Sequence, residues 1–130
     1  MQEDNIKYYV LDSSFILSFL LPDERSEEVM KVFSDYSEGK INFVSSSILP
    51  LEVVNGLRFA IGDRVNKATA VNLIYDFLEI SVEYVTLNLE EVLNISLHNN
   101  VSVYDAAYLY LSKSQKVPLL TLDKVLQKLA

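Results

Sequence analysis

The chain has 130 residues, half of them apolar, and a formal net charge of −7. It contains no cysteine and one histidine, which excludes disulfides and zinc–thiolate sites and leaves little room for a histidine-based metal site or catalytic triad. The acidic balance argues against a non-specific DNA-binding module, because such modules are usually basic. It does not exclude a nuclease, because bound divalent cations neutralise carboxylates.

A chain of this length fits one domain, and we predict a single domain over residues 1–130. The first apolar run, residues 15–21, is interrupted by Ser18 and is too short to span a bilayer. The polar start, residues 1–7, lacks the basic flank of a signal peptide. We therefore expect a cytoplasmic protein with no membrane contact.

Apolar periodicity and turn residues predict strands that alternate with helices along the chain. The predicted strands cover residues 6–11, 41–45, 82–87 and 117–122. The predicted helices cover residues 13–21, 23–38, 48–61, 66–79, 89–98, a segment from 103, and 123–130. This order indicates an α/β sandwich around a mostly parallel sheet, in which ligands bind beyond the carboxyl ends of the strands.

Polar residues are predicted to begin several of these helices. Ser47 is expected to cap the third helix, with Pro50 tolerated in its first turn. Asn88 is expected to cap the fifth helix, with Glu91 three residues later in the capping-box position. Ser102 is expected to cap the sixth helix, whose apolar stripe is predicted to contain Tyr104, Ala107, Tyr108 and Leu111.

Three aspartates occupy positions where a carboxylate serves either as a helix cap or as a ligand. Asp12 and Asp123 each follow a predicted strand, at the sheet edge where phosphates and metals bind. Asp105 lies three residues after Ser102, near a helix N-terminus that keeps a carboxylate ionised. Each has a structural explanation as a cap or capping-box residue, so none of them alone decides between the two roles.

Glu52 is harder to explain structurally, because the segment around it, residues 48–57, is mostly apolar. A glutamate in a mostly buried helix usually has a partner or binds a metal. Asn55 lies three residues later on the same predicted helix face. The pair indicates a polar pocket, and the alternative is a narrow solvent-facing stripe.

Several carboxylates gathered in one site are typical of phosphodiester chemistry. Mg²⁺ and Mn²⁺ prefer hard oxygen ligands, and two such ions about 4 Å apart can stabilise both the attacking and the leaving oxygen. Carboxylates packed together without a cation repel one another. The four acids therefore predict a divalent-metal site.

Four short motifs, in this order, resemble the PIN-domain family and in particular its VapC-type toxin ribonucleases. They are VLDSS at 10–14, LEVVNGL at 51–57, VYDAAY at 103–108 and LLTLD at 119–123. The resemblance runs from about Tyr9 to Leu126. It implies a three-layer α/β/α sandwich with a short, mostly parallel sheet, and RNA cleavage that depends on magnesium or manganese.

The resemblance also implies roles for individual residues and partners. The metal-binding and catalytic quartet becomes Asp12, Glu52, Asp105 and Asp123. Ser14, Asn55 and Thr121 match supporting polar positions. The expected partners are an RNA substrate, a second copy of the chain in a homodimer, and an antitoxin protein. Five basic residues are candidates for contacting RNA in a dimer: Arg58, Arg64, Lys67, Lys113 and Lys116.

Three alternatives remain at this level. An RNA-processing PIN nuclease would use the same chemistry without an antitoxin, and a non-catalytic PIN-like module would keep the fold and act by binding. A phosphoacceptor domain of the receiver type fits poorly, because the second strand ends in Ser45, Ser46 and Ser47 with no aspartate, and Lys124 lies only beyond Asp123.

Overall fold

The computed structural model describes residues 6–130, so the first five residues of the predicted polar start lie outside it. Within this range strands and helices alternate as predicted. The strands are β1 Lys7–Leu11, β2 Ile41–Ser45, β3 Val82–Tyr84 and β4 Leu119–Leu120. The helices are α1 Ser13–Leu20, α2 Glu27–Ser37, α3 Leu49–Ala60, α4 Lys67–Leu78, α5 Leu89–Asn99, α6 Val103–Gln115 and α7 Lys124–Leu129, with a short 3-10 helix at Pro22–Glu24.

The four strands form one parallel sheet in the order β3-β2-β1-β4. Val10 of β1 is opposite Val44 of β2 on one side and Leu119 of β4 on the other. The carboxyl ends of β1 and β4 therefore lie side by side. Asp12 and Thr121, which directly follow these two strands, are neighbours at this edge of the sheet.

Helices cover both faces of the sheet. Successive residues of a strand face opposite sides, so each central strand contributes residues to an apolar cluster on either face. Leu11 and Phe43 belong to an apolar cluster with residues of α1, α2, α3 and α4. Val10 and Val44 belong to a second cluster with Tyr108 of α6. All five side chains are buried, and the predicted α/β fold of three layers is confirmed.

Gly56 allows α3 to pack closely against α1. A Cβ atom at this position would lie 2.3 Å from Cδ1 of Leu17, so any larger residue would force the leucine to move. Glu52 lies four residues before Gly56, on the same face of α3. Asp12 caps α1. The close approach of the two helices therefore brings Glu52 towards Asp12.

The predicted helix 23–38 was wrong at its start. Pro22–Glu24 forms the short 3-10 helix, and α2 begins only at Glu27. The physical reason is a cap within the predicted helix, since Oγ of Ser26 accepts the N–H of Val29 at 3.2 Å. Strands β3 and β4 are shorter than predicted, ending at Tyr84 and Leu120.

The predicted caps had mixed outcomes. Asn88 accepts the N–H of Glu91 at 3.2 Å, and Ser102 accepts the N–H of Asp105 at 3.0 Å, so both caps are confirmed. Ser47 is not a cap, because Ile48 occupies the N-cap position of α3 without a side-chain bond.

None of the helices between residues 6 and 130 is long and apolar enough to cross a membrane.

Candidate functional site

Asp12 is a buried carboxylate at the carboxyl end of the central strand β1, with only 3% of its surface exposed. Its Oδ1 accepts the N–H of Phe15 at 3.0 Å, so Asp12 does cap α1. Burial raises the pKa of Asp12, and hydrogen bonds from Thr121, Phe15 and Ser14 offset part of this rise. The charge of Glu52 raises the pKa of Asp12 further.

Ser14 and Thr121 join Asp12 to the loop that carries Asp123. Oγ of Ser14 donates to Oδ1 of Asp12 at 2.8 Å, accepts the N–H of Leu122 at 2.9 Å, and lies 3.4 Å from Oγ1 of Thr121. Oγ1 of Thr121 accepts the N–H of Asp123 at 3.0 Å. These hydroxyl groups therefore link the start of α1 to the start of α7.

Asp105 and Asp123 lie at the N-terminal ends of two further helices. Asp123 caps α7, accepting the N–H of Leu126 at 3.0 Å, and its side chain is exposed. Asp105 is half-buried in the first turn of α6. Burial raises the pKa of Asp105, and the charges of Asp123 and Glu52 add to the rise.

Glu52 lies half-buried in the first turn of α3, at the border between the buried and exposed faces of that helix. Its Oε1 accepts a hydrogen bond from the hydroxyl of Tyr108. The expectation that α3 is mostly buried was wrong, because Leu51 is 68% exposed and Val54 40% exposed. Asn55 is also exposed, and between residues 6 and 130 it forms no hydrogen bond with Glu52.

Charge repulsion connects the four carboxylates as a group. Glu52 raises the pKa of both Asp12 and Asp105, and Asp123 raises that of Asp105. Within the described residues, no lysine or arginine contributes to the pKa of Asp12 or Asp105. We define these four carboxylates, Asp12, Glu52, Asp105 and Asp123, as the acidic group. Within residues 6–130 none of them forms a salt bridge with a lysine or arginine.

The donor set of the acidic group fits a hard divalent cation, since all of its candidate ligands are carboxylate oxygens. A bound cation would also offset the energetic cost of burying charged Asp12 and Asp105 and of placing them near other carboxylates, the two effects that raise their pKa values. Across residues 6–130, however, no three acidic, histidine or cysteine side chains are grouped so that they could already hold a metal ion. The acidic group is assembled at one edge of the sheet but is not a preformed metal site.

Tyr108 is a member of this site that the sequence analysis missed. It was predicted only as part of the apolar stripe of α6, and it is indeed buried, with 1% exposed. Its hydroxyl nevertheless reaches Glu52. The available signal was its spacing, because Tyr108 follows Asp105 by three residues and shares its helix face. Tyr104, predicted in the same stripe, is instead 53% exposed.

Arg64 is engaged away from the acidic group. Its guanidinium donates to both oxygens of Asp23 at 2.9 Å and also to Glu24. The hydrogen bond from Arg64 holds the pKa of Asp23 below its usual range. Of the five basic candidates for RNA contact, Arg64 is therefore already paired with carboxylates.

Comparison with known proteins decides the family. The family model described as PIN domain matches residues 9–130. Ribonuclease VapC3 of Pyrobaculum aerophilum is 30% identical over 122 residues, which cover 90% of each chain. The chain belongs to the PIN-domain family. The resemblance of the four sequence motifs to this family is thereby confirmed.

Two solved structures share the PIN fold of this chain. The crystal structure of PAE2754 from Pyrobaculum aerophilum superposes with a TM-score of 0.72 at 24% identity, covering 96% of this chain and 87% of the other. The crystal structure of Mycobacterium tuberculosis VapC20, a sarcin-ricin loop cleaving toxin, superposes with a TM-score of 0.66 at 16% identity, covering 92% of this chain and 93% of the other. At these identities the likeness concerns the fold.

Proposed function

We propose that this PIN domain is a ribonuclease that cleaves RNA phosphodiesters with Mg²⁺ or Mn²⁺ held by Asp12, Glu52, Asp105 and Asp123. One observation carries the proposal. Four carboxylates gather at the carboxyl edge of the sheet, where burial and the charges of neighbouring carboxylates raise the pKa of Asp12 and Asp105, and within residues 6–130 none of the four forms a salt bridge. The 30% identity to a ribonuclease of the same family supports RNA as the substrate class.

The side chains of the chain act by orienting oxygen ligands. Asp12, Glu52, Asp105 and Asp123 would hold the ion, which would supply Lewis-acid stabilisation of the phosphate and lower the pKa of a bound water. The N–H groups of Phe15 and Leu126 orient Asp12 and Asp123 respectively. Ser14 and Thr121 are proposed to support this arrangement through their links to the loop after β4.

The test of this proposal is cleavage of end-labelled structured RNAs by purified protein in Mg²⁺ and in excess chelator. We expect cleavage in Mg²⁺ that is lost in chelator and in the variants Asp12→Asn and Asp105→Asn. Asp76→Asn is the matched control, because Asp76 is an exposed acid on α4 outside the acidic group. Cleavage that persists in chelator or in both site variants would overturn the proposal, as would its absence from the wild type.

We further propose that the protein is the toxin of a toxin–antitoxin pair and acts as a homodimer. The supporting names are those of VapC3 and of the VapC20 toxin. The surface that supports the homodimer is a stripe on α5 formed by Leu89, Leu93 and Leu97, which are 72%, 49% and 72% exposed. These leucines are spaced four residues apart and so share one helix face, and exposed apolar side chains on one face are typical of an interaction site.

The antitoxin proposal is tested by expressing the chain alone and together with any short DNA-binding protein encoded beside it. We expect growth arrest by the chain alone, rescue by the neighbour, and inhibition of RNA cleavage by the purified neighbour. Normal growth with full ribonuclease activity would contradict the toxin role and favour RNA processing by the same chemistry.

A further inference from the structure

Tyr108 places a hydroxyl group next to the acidic group from within the apolar core. Its ring packs in the cluster that contains Val10, Val44 and Leu111. Its Oη donates a hydrogen bond to Oε1 of Glu52, a residue 56 positions away in sequence. Packing in this apolar cluster uses only the aromatic ring of Tyr108, so a phenylalanine at this position would fill the core equally well. The hydroxyl therefore needs an explanation of its own.

Glu52 needs an external support, because a glutamate side chain on a helix has several rotatable bonds. Its neighbours on α3 do not supply one, since Leu51 and Asn55 face solvent. Within residues 6–130, the Glu52 carboxylate has one hydrogen-bond partner, Tyr108, and it forms no ion pair. A single contact thus fixes the orientation of this carboxylate.

We propose that Tyr108 is a positioning residue, which holds one oxygen of Glu52 so that the other is directed at a divalent cation. This inference rests on the proposed function, because it assigns Glu52 to the metal site. Groups that hydrogen-bond to metal ligands restrict the orientation of those ligands and so raise the affinity for the metal. An aromatic ring packed in the core is a rigid anchor for such a bond.

The hydroxyl of Tyr108 acts as a hydrogen-bond donor, because a phenol is protonated at neutral pH. Its ring is held in the apolar core, so the hydroxyl acts on Glu52 from a fixed position. Because Asp105 lies three residues before Tyr108 on α6, the bond also ties the positions of two carboxylates, on α3 and α6, to each other.

The experiment compares Tyr108→Phe with Tyr110→Phe. Tyr110 is a partly buried tyrosine of the same helix and packs against the same apolar cluster. Its hydroxyl forms no hydrogen bond within the described residues, 6–130. Mn²⁺ affinity is measured on RNA-free protein by calorimetry, next to the thermal midpoint and the Mg²⁺ dependence of RNA cleavage. We expect Tyr108→Phe to stay folded and to lose roughly 10–100-fold in Mn²⁺ affinity, while Tyr110→Phe binds like the wild type.

A double-mutant cycle separates positioning from a merely structural role. If Tyr108 acts through Glu52, then Tyr108→Phe causes no further loss of Mn²⁺ affinity in a Glu52→Ala background, which keeps the other three carboxylates. In Tyr108→Phe the concentration of Mg²⁺ needed for half-maximal cleavage rises, and the KM for RNA at saturating Mg²⁺ stays unchanged. Wild-type Mn²⁺ affinity in a folded Tyr108→Phe variant, or additive losses in the cycle, would overturn the inference.

The outcomes also distinguish this inference from the proposed function. Metal-dependent cleavage by the wild type together with unchanged Mn²⁺ affinity in Tyr108→Phe would reject the positioning role alone. Weaker Mn²⁺ binding in Tyr108→Phe without any cleavage by the wild type would reject the ribonuclease activity and uphold the positioning role. A wild type that neither binds Mn²⁺ nor cleaves RNA would reject both.

Discussion

Ser14 donates a 2.8 Å hydrogen bond from its Oγ to Oδ1 of Asp12. The same Oγ accepts the N–H of Leu122, 108 positions later in the sequence. One hydroxyl group thus connects the most deeply buried carboxylate of the site to the loop before Asp123. This connection adds to the pairing of β1 with β4 in placing Asp12 relative to Asp123.

Replacing Ser14 tests that connection. Ser14→Ala leaves the N–H of Leu122 without its partner and removes one donor to Asp12, so we expect a loss of about 1–2 kcal/mol in the free energy of unfolding. The measurement is urea denaturation followed by circular dichroism. Ser37→Ala is the control, because the one side-chain hydrogen bond of Ser37 within residues 6–130 goes to the carbonyl of Ser34 on an exposed surface. Equal stabilities of the two variants would contradict the role of Ser14.

Asp12→Asn is expected to stabilise the metal-free protein. Burial and the charge of Glu52 both disfavour the ionised form of Asp12, and asparagine removes that charge while its side-chain oxygen still accepts the N–H of Phe15. The measurement is the thermal midpoint in chelator at neutral pH, compared with Asp76→Asn. Addition of Mg²⁺ should then raise the midpoint of the wild type but not of Asp12→Asn. A midpoint of Asp12→Asn below that of the wild type in chelator is the contrary result.

The stability of the metal-free protein should depend on pH through Asp12 and Asp105. The folded protein raises both pKa values above the ordinary value of 3.8, so it binds more protons than the unfolded chain in that range. The contribution of these residues to stability is therefore full below the unfolded pKa and lost as the pH rises through the folded values.

The measurement for this pH dependence is urea unfolding in chelator, from about pH 4 to about pH 8. Asp23 and Asp35 act in the opposite direction, because Arg64 and Lys31 lower their pKa values. The informative quantity is therefore the stability difference between the wild type and the double variant Asp12→Asn/Asp105→Asn. We expect the wild type to lose stability relative to this variant as the pH rises, and a constant difference would refute the prediction.

The homodimer is tested at the exposed stripe of α5. Leu93→Glu places a charge in the middle of this stripe, where burial in an interface would be costly. We expect light scattering after size exclusion to give a dimer mass for the wild type and a monomer mass for Leu93→Glu. Tyr75→Glu is the control, because Tyr75 on α4 is also exposed, at 64%. Dissociation by Tyr75→Glu with an intact dimer in Leu93→Glu would locate the interface elsewhere.

Local sequence patterns predicted the alternation of strands and helices, the α/β fold and the position of Asp12 directly after a strand. These features follow from the nearest neighbours in the chain, such as the apolar run that ends at Leu11. The prediction that Asp123 directly follows a strand was wrong, because β4 ends at Leu120 and Asp123 caps α7. The extent of α2 was harder to predict, because acidic residues before Ser26 are equally compatible with helix. The prediction for Ser47 failed because Ser47 lies in a turn before α3, in which Oγ of Ser46 accepts the N–H of Ile48 at 3.2 Å, and the helix begins only at Leu49.

Contacts between distant segments were beyond the sequence patterns. The hydroxyl of Tyr108 reaches Glu52 only because α3 and α6 are brought together at the sheet edge, and an apolar stripe does not reveal such a bond. The pairing of Arg64 with Asp23 likewise joins segments 41 positions apart. Tertiary packing decides these contacts, and it also leaves Asn55 in solvent although it lies three residues from Glu52.

The most direct measurement is the anomalous diffraction signal of Mn²⁺ in crystals of the wild type and of Asp12→Asn. We predict a peak between Asp12 and Asp105 in the wild type, with Glu52 or Asp123 among its ligands, and no peak at that position in Asp12→Asn. No peak in the wild type at saturating Mn²⁺, or a peak bound only by residues outside the acidic group, would contradict the claim that these carboxylates hold the metal.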